Sequence, residues 1–217
     1  MNFPIVIDAL SQELKNPLPG TKAQLKMASM RRLQQIIKHS KPETAVRSSV
    51  LILLYPGSHE NEILLALIQR PSYKGIHGGQ ISLPGGKYEE GDIELQNTAL
   101  RESQEEIGIF QQDVKIIGAL SELYIPPSNY IVYPFVGYLD YKPALKPDLH
   151  EVAEILEISL DDLLDEEQIR NKKIHIRSGL RITVPCFEIN SKTIWGATAM
   201  ILSEFKEIMK TFSDRIK

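Results

Sequence analysis

Hydrophobic positions recur with helical spacing at both ends of the chain and crowd into strand-like runs in the middle. Residues 4–15 place Ile5, Leu10 and Leu14 on one side and Ser11 and Gln12 on the other, which predicts a helix. Asn16-Pro17-Leu18-Pro19-Gly20 ends it. Residues 21–38 predict a second helix, with Thr21 as N-cap and Leu25, Met30, Leu33, Ile36 and Ile37 as its apolar stripe. From residue 44 the texture changes. Val46–Tyr55 and Glu62–Arg70 are nearly continuous apolar runs and predict buried strands. Residues 71–92 are rich in Gly and Pro and predict loop around a short strand, Gln80–Leu83. Residues 93–107 predict a helix closed by Gly108. Strands follow at Val114–Tyr124, Tyr130–Leu139 and Val152–Ile158, then a short acidic helix at Asp161–Glu167. Ile174–Arg177 and Ile182–Ile189 predict strands paired across Ser178-Gly179. Residues 197–212 close the pattern as a helix with Ile201, Phe205, Ile208, Met209 and Phe212 in phase.

This order lacks regular βαβα alternation and argues against a doubly wound parallel sheet. It predicts an α+β (mixed α/β) fold: a helical extension over residues 1–44 and one main domain over residues 45–217 that includes the last helix. At 217 residues, 42% apolar and 24% charged, the chain can bury one sizeable core, which excludes disorder as the main theme. A formal net charge of −3 gives no general attraction to nucleic acid. No run reaches the roughly 18 apolar residues of a membrane span, and Asp8 follows the start too closely for a secretory leader. A cytoplasmic protein is the expectation. The single Cys186, flanked by strand-like residues, reads as a buried hydrophobe. The five histidines carry no paired spacing of a zinc site. Lys22, Lys26, Arg31, Arg32 and Lys38 form a basic run, read as a solvated helix face with an anion-attracting rim as the sharper alternative. Trp195 reads as a core anchor. Tyr124, Tyr130 and Tyr133 flank a rigid Pro126-Pro127-Ser128-Asn129 loop and read as packing, with base stacking as the alternative.

The chemistry concentrates between residues 83 and 109. Glu102, Glu105 and Glu106 stand at i, i+3 and i+4 on one helix, so their carboxylates are neighbours that repel. A hard cation such as Mg²⁺ or Mn²⁺ relieves that repulsion. Arg101 is placed to hold one carboxylate in a two-bond fork, and Gly85-Gly86 permits close backbone approach.

This stretch resembles the Nudix box: Gly, five residues, Glu, seven residues, then Arg-Glu, hydrophobic, any, Glu-Glu, any, Gly, hydrophobic. Gly86, Arg101, Glu102, Glu105, Glu106, Gly108 and Ile109 fall in that order. Asp92 replaces the first Glu, eight residues rather than seven separate it from Arg101, and Ser103 takes the hydrophobic position. The longer spacing and Ala99-Leu100-Arg101-Glu102 resemble the coenzyme A diphosphatases of that family. So does the upstream register of Arg70, Gly79, Pro84, Gly85 and Gly86, although Gly75 stands where that subgroup has an arginine, with Lys74 one residue away.

The resemblance implies a mixed sheet between helices and hydrolysis of a nucleoside diphosphate derivative, with coenzyme A or acyl-coenzyme A as the leading substrate. Another nucleotide, or a ligand sensor without catalysis, is the alternative. It implies Glu102, Glu105, Glu106 and the Gly86 carbonyl as metal ligands for Mg²⁺ or Mn²⁺. Glu105, Glu106 and Glu151 compete for the proton-accepting role, and Arg101 orients a box glutamate. Arg70, Lys74, His77 and Lys87 are the expected substrate contacts. The partner implied is a small nucleotide, with neither nucleic acid nor membrane, and a homodimer contact through the N-terminal helices is a further expectation.

Overall fold

The computed structural model describes residues 2–38, 42–71, 78–175, 179 and 181–213. Its frame is a mixed eight-stranded sheet. β1 (Val46–Pro56) is long enough to serve two neighbours along one edge. Its end pairs antiparallel with β2 (Ile63–Gln69), and its start pairs antiparallel with β4 (Gly85–Lys87). On the opposite edge it runs parallel to β7 (Tyr130–Tyr138) throughout. β7 in turn pairs with β5 (Lys115–Ala119) and β6 (Leu123–Ile125). β2 carries β3 (Ile81–Ser82) and β8 (Glu154–Ser159). A second sheet contains β9 (Ile169–His175), β10 (Arg181–Ile189) and β11 (Lys192–Trp195).

The continuous apolar run of β1 follows from burial on both faces. Ile52 and Leu54 join a core with Phe205, Met209 and Phe212 of α6 (Gly196–Ser213) and with Val6, Ile7 and Leu10 of α1 (Phe3–Glu13). Leu51, Leu53 and Tyr55 point the other way, onto Ala99 and Ile107 of α4 (Leu95–Ile107). This alternation makes the sandwich expected from the pattern. The N-terminal helices are built into its first core rather than standing apart from it.

Several local expectations are corrected. The helix over 21–38 is broken into α2 (Gly20–Gln24), a short 3-10 turn and α3 (Met30–Lys38), because Ala28 is extended and Ser29 Oγ accepts the Arg32 N–H to start a new helix. Thr21 does not cap; the cap position is Pro19, and Met30 is exposed. Ile5 of α1 is also exposed, and Val6 and Ile7 are buried instead. The strand over 114–124 divides into β5 and β6. The Gly-Gly segment contributes β4, which no apolar pattern announces. The acidic helix is reduced to α5 (Leu160–Leu164), capped by Ser159. The pairing of β9 with β10 is as expected. Cys186 is a buried free thiol pushed up in pKa by burial. Among the described residues, no helix is long and apolar enough to cross a membrane.

Candidate active site

Two glycines open the sheet edge where the site lies. Gly85 has φ of 144°, and a Cβ there would sit 2.2 Å from the Ser49 carbonyl oxygen. Its N–H donates to Glu106 Oε2 at 2.8 Å. A Cβ on Gly86 would lie 2.3 Å from the Glu102 carboxyl carbon. Glycine is therefore a steric requirement at Gly85, set by backbone and a positive φ, whereas at Gly86 a side chain would displace the Glu102 carboxylate. Helix α4 packs on one face of the sheet, and its Glu102 and Glu106 reach past β4 to a cavity of about 1190 Å³ lined on its floor by Ser48, Val50 and Val132.

The same helix holds a second, closed set of charges. Arg101 Nε and Nη2 donate to the two oxygens of Asp92 at 2.7 and 3.1 Å. Thr98 Oγ1 and the Glu89 N–H donate to Asp92 Oδ2 at 2.8 and 2.9 Å. Hydrogen bonding from Arg101 leads the forces that draw the Asp92 carboxyl down to about 2, against the opposing effect of burial. Arg101 also reaches the Lys87 carbonyl at 3.1 Å, Glu102 Oε1 at 3.0 Å and Glu105 Oε2 at 3.1 Å. The residue after Asp92, Ile93, turns with φ of 57°. That turn lies within the longer spacing between Asp92 and Arg101.

Glu106 has the opposite environment. It is 1% exposed, and its carboxyl is pushed up to about 7, first by burial. Glu102 and Glu151 add repulsion, while the Gly85 N–H and Arg70 oppose the rise. Arg70 Nη2 stands 4.0 Å from Glu106 Oε1 and donates to the Gly85 carbonyl at 3.5 Å. Glu102 is also raised, chiefly by burial, with Arg101 opposing. Glu151 joins them because its loop is tied to the end of α4. The Asp148 N–H donates to the Glu106 carbonyl and the Lys146 N–H to that of Ile107, while the Glu151 N–H closes on Asp148.

Thus the structure brings Arg70, Gly86, Lys87, Glu102, Glu106 and Glu151 to one cavity. Glu105 is not part of the cavity lining: half of its side chain is exposed, and the Arg101 Nη1 that reaches Glu102 also donates to it. Lys74 and His77 lie outside the described residues. Among the described residues no three acidic, histidine or cysteine side chains form a ready-made cage. The donor set nevertheless suits a hard divalent ion, which rarely needs a full protein cage and completes its shell with water and phosphate oxygens. The half-buried Glu102 and the buried Glu106, which repel each other, are the observation that fits such an ion.

Sequence reasoning did not place Arg31, Arg32 and Trp195 in this cavity, yet all three line it. Trp195 is half-buried at the cavity wall rather than a closed core anchor. The basic run was the available signal for the two arginines. Tyr130 also lines the cavity, beside Pro127 and Ser128 of the rigid loop.

Comparison with known proteins agrees with this architecture. The NUDIX domain family model matches residues 45–177. A Yersinia pestis protein named "Uncharacterized Nudix hydrolase NudL" is 32% identical over 167 residues, covering 77% of this chain and 82% of that protein. A MutT/nudix family protein from Enterococcus faecalis superposes with a TM-score of 0.51 at 15% identity, over 88% of this chain and 72% of that one. The Nudix hydrolase RenU from M. smegmatis does so with 0.52 at 12% identity, over 88% and 95%. These two likenesses concern the fold alone. With the box residues on a loop and helix against a mixed sheet, the chain belongs to the Nudix hydrolases, a family that acts on nucleoside diphosphate derivatives and generally uses divalent metal ions.

Proposed function

We propose that the chain cleaves the diphosphate linkage of coenzyme A or acyl-coenzyme A, releasing adenosine 3′,5′-bisphosphate and (acyl-)4′-phosphopantetheine. The observation that carries this reading is a large cavity of about 1190 Å³ with Glu102, Glu106 and Glu151 in its wall. Its size exceeds the roughly 300–1,000 Å³ typical of small-ligand sites. The Ala99-Leu100-Arg101-Glu102 run and the Arg70…Gly85-Gly86 register support coenzyme A over a smaller nucleotide.

Glu102 and Glu106, with the Gly86 carbonyl beside them, would hold Mg²⁺ or Mn²⁺, which supplies charge neutralisation to the diphosphate oxygens. Glu151 accepts the proton of the attacking water, since its side chain faces the cavity with no hydrogen-bond partner among the described residues. Arg70 and Lys87 contact phosphate oxygens. Arg101 is a positioning residue: anchored on Asp92, it fixes Glu102 and Glu105.

The test is incubation of purified protein with coenzyme A and Mg²⁺ or Mn²⁺, with chromatographic separation of products and the Glu106→Gln variant in parallel. Both named products, lost in the variant, are expected. Cleavage of nucleotide sugars or dinucleotides alone would replace the substrate and keep the site. Inactivity on every diphosphate would overturn the catalytic reading in favour of ligand sensing.

A further inference from the structure

The cavity has a basic wall as well as an acidic one. At the start of β1 the sheet order is β4–β1–β7–β6, because Ser48 pairs with Lys87 on one edge and with Val132 on the other, and Val132 pairs with Leu123 of β6. The carboxylates cluster at β4. Arg32, from α3, is bound at β6, where its Nη2 donates to the Tyr124 carbonyl. Three strand spacings, about 14 Å, separate those edges. Arg31, exposed on the same helix, lines the same space.

The Arg32 guanidinium is incompletely satisfied. Its Nη1 is buried and has no hydrogen-bond partner among the described residues. No carboxylate among them pairs with it either. A buried cationic donor without a partner carries a desolvation cost that an anion would remove. Arginine is the side chain suited to two-bond recognition of phosphate. The same cavity is lined by the apolar side chains of Val50, Val132 and Ile125 and by Trp195, which suit a nucleoside rather than a second charged group.

We infer that Arg32, with Arg31 at the rim, is a second phosphate subsite, built by the N-terminal helices, that recognises a ribose phosphate on the nucleoside remote from the cleaved diphosphate. The inference deepens the coenzyme A reading and rests on it for the identity of that phosphate, the 3′-phosphate. The span fits: an ion-bound diphosphate and an arginine-bound phosphate each take up several ångströms of the 14, and one ribose bridges the remainder. It also places a cation in the cavity of a chain that has Gly75 where an arginine was expected.

Trp195 is the sole tryptophan and lines the cavity, so its fluorescence reads binding directly. Adenosine 3′,5′-bisphosphate and AMP are titrated into wild-type protein and into Arg32→Gln. The expected result is at least tenfold tighter binding of the bisphosphate by wild type. In the variant that preference falls below threefold, with AMP affinity unchanged, which also shows that the cavity has kept its fold. An equal affinity of wild type for the two nucleotides overturns the subsite without reference to any variant, as does a preference that survives Arg32→Gln. Should the glutamine variant fail to fold, Arg31→Gln is expected to reduce the preference by a smaller factor, and no reduction would count against the subsite. Steady-state comparison of coenzyme A with its 3′-dephospho form separates the two levels of the argument. A bisphosphate preference without cleavage of either substrate removes the coenzyme A reading and leaves the subsite. Cleavage of both with the same KM retains the diphosphatase and removes the subsite.

Discussion

Asp92 and Glu106 belong to one short motif, both are buried, and their environments are opposite. Asp92 receives four hydrogen bonds, two of them from one guanidinium, and its carboxyl is drawn down to about 2. Among the described residues Glu106 receives one, from the Gly85 N–H, and it stands near two other carboxylates with its pKa pushed up to about 7. The difference teaches that burial alone does not mark a functional acid. Asp92 is satisfied by the protein itself and serves the fold, whereas Glu106 is only partly compensated, by the Gly85 N–H and by Arg70 at 4.0 Å. Arg101 links the two, spending its donors on Asp92 first and on Glu102 and Glu105 afterwards.

The largest effect that tests this contrast is on turnover. Glu106→Gln is expected to lower kcat about 10³-fold, while thermal unfolding stays unchanged or rises, because a buried repelling charge is removed. A variant that lost activity only by unfolding would show Glu106 to be a structural acid like Asp92.

Gly86→Ala comes next. The added methyl meets the Glu102 carboxylate rather than backbone, so the side chain is displaced and the chain still folds. A loss of about 10- to 100-fold in activity is expected, by analogy with the cost of disturbing the support of a metal ligand, and circular dichroism should be unaltered.

Asp92→Asn should act on stability. The carboxyl is depressed in the folded state, so its contribution is fully present above the ordinary aspartate range and is lost as pH falls from about 4 towards 2. Near neutral pH the variant should be less stable by about 2 kcal/mol in urea unfolding. The gap to wild type should narrow across that acid window. A gap independent of pH would contradict the clamp.

Ser49→Ala is the smallest. Its hydroxyl is buried next to the Gly86 pairing position with no partner among the described residues. Replacement should be neutral or stabilising by up to about 1 kcal/mol. Measurable destabilisation would mean that the hydroxyl is bonded after all.

The legibility of the chain in sequence follows from these same contrasts. β1, β2, α4 and α6 are readable because each carries a long apolar signal of one period. β4 is not, because Gly85 and Gly86 contribute no side chain to any pattern, although they open the site. The helix over 21–38 is misread because Ala28 and Ser29 break it by backbone conformation and capping, which periodicity does not register. In the site, the order of Gly86, Arg101, Glu102 and Glu106 is enough to place them together. Spacing puts Glu105 on the same arc, but it does not reveal that Glu105 is half exposed and paired with Arg101. The basic run offers an anion-attracting rim, but it does not single out Arg32, because the Tyr124 carbonyl that its guanidinium reaches lies 92 positions away.

The most direct test of the contrast between the two acids is calorimetric titration of Mn²⁺ into metal-stripped protein, comparing wild type with Glu106→Gln and Asp92→Asn. Wild type is expected to bind, Glu106→Gln to bind at least tenfold more weakly, and folded Asp92→Asn to keep near-wild-type affinity. Equal affinity in wild type and Glu106→Gln, or a greater loss in Asp92→Asn, would contradict that contrast.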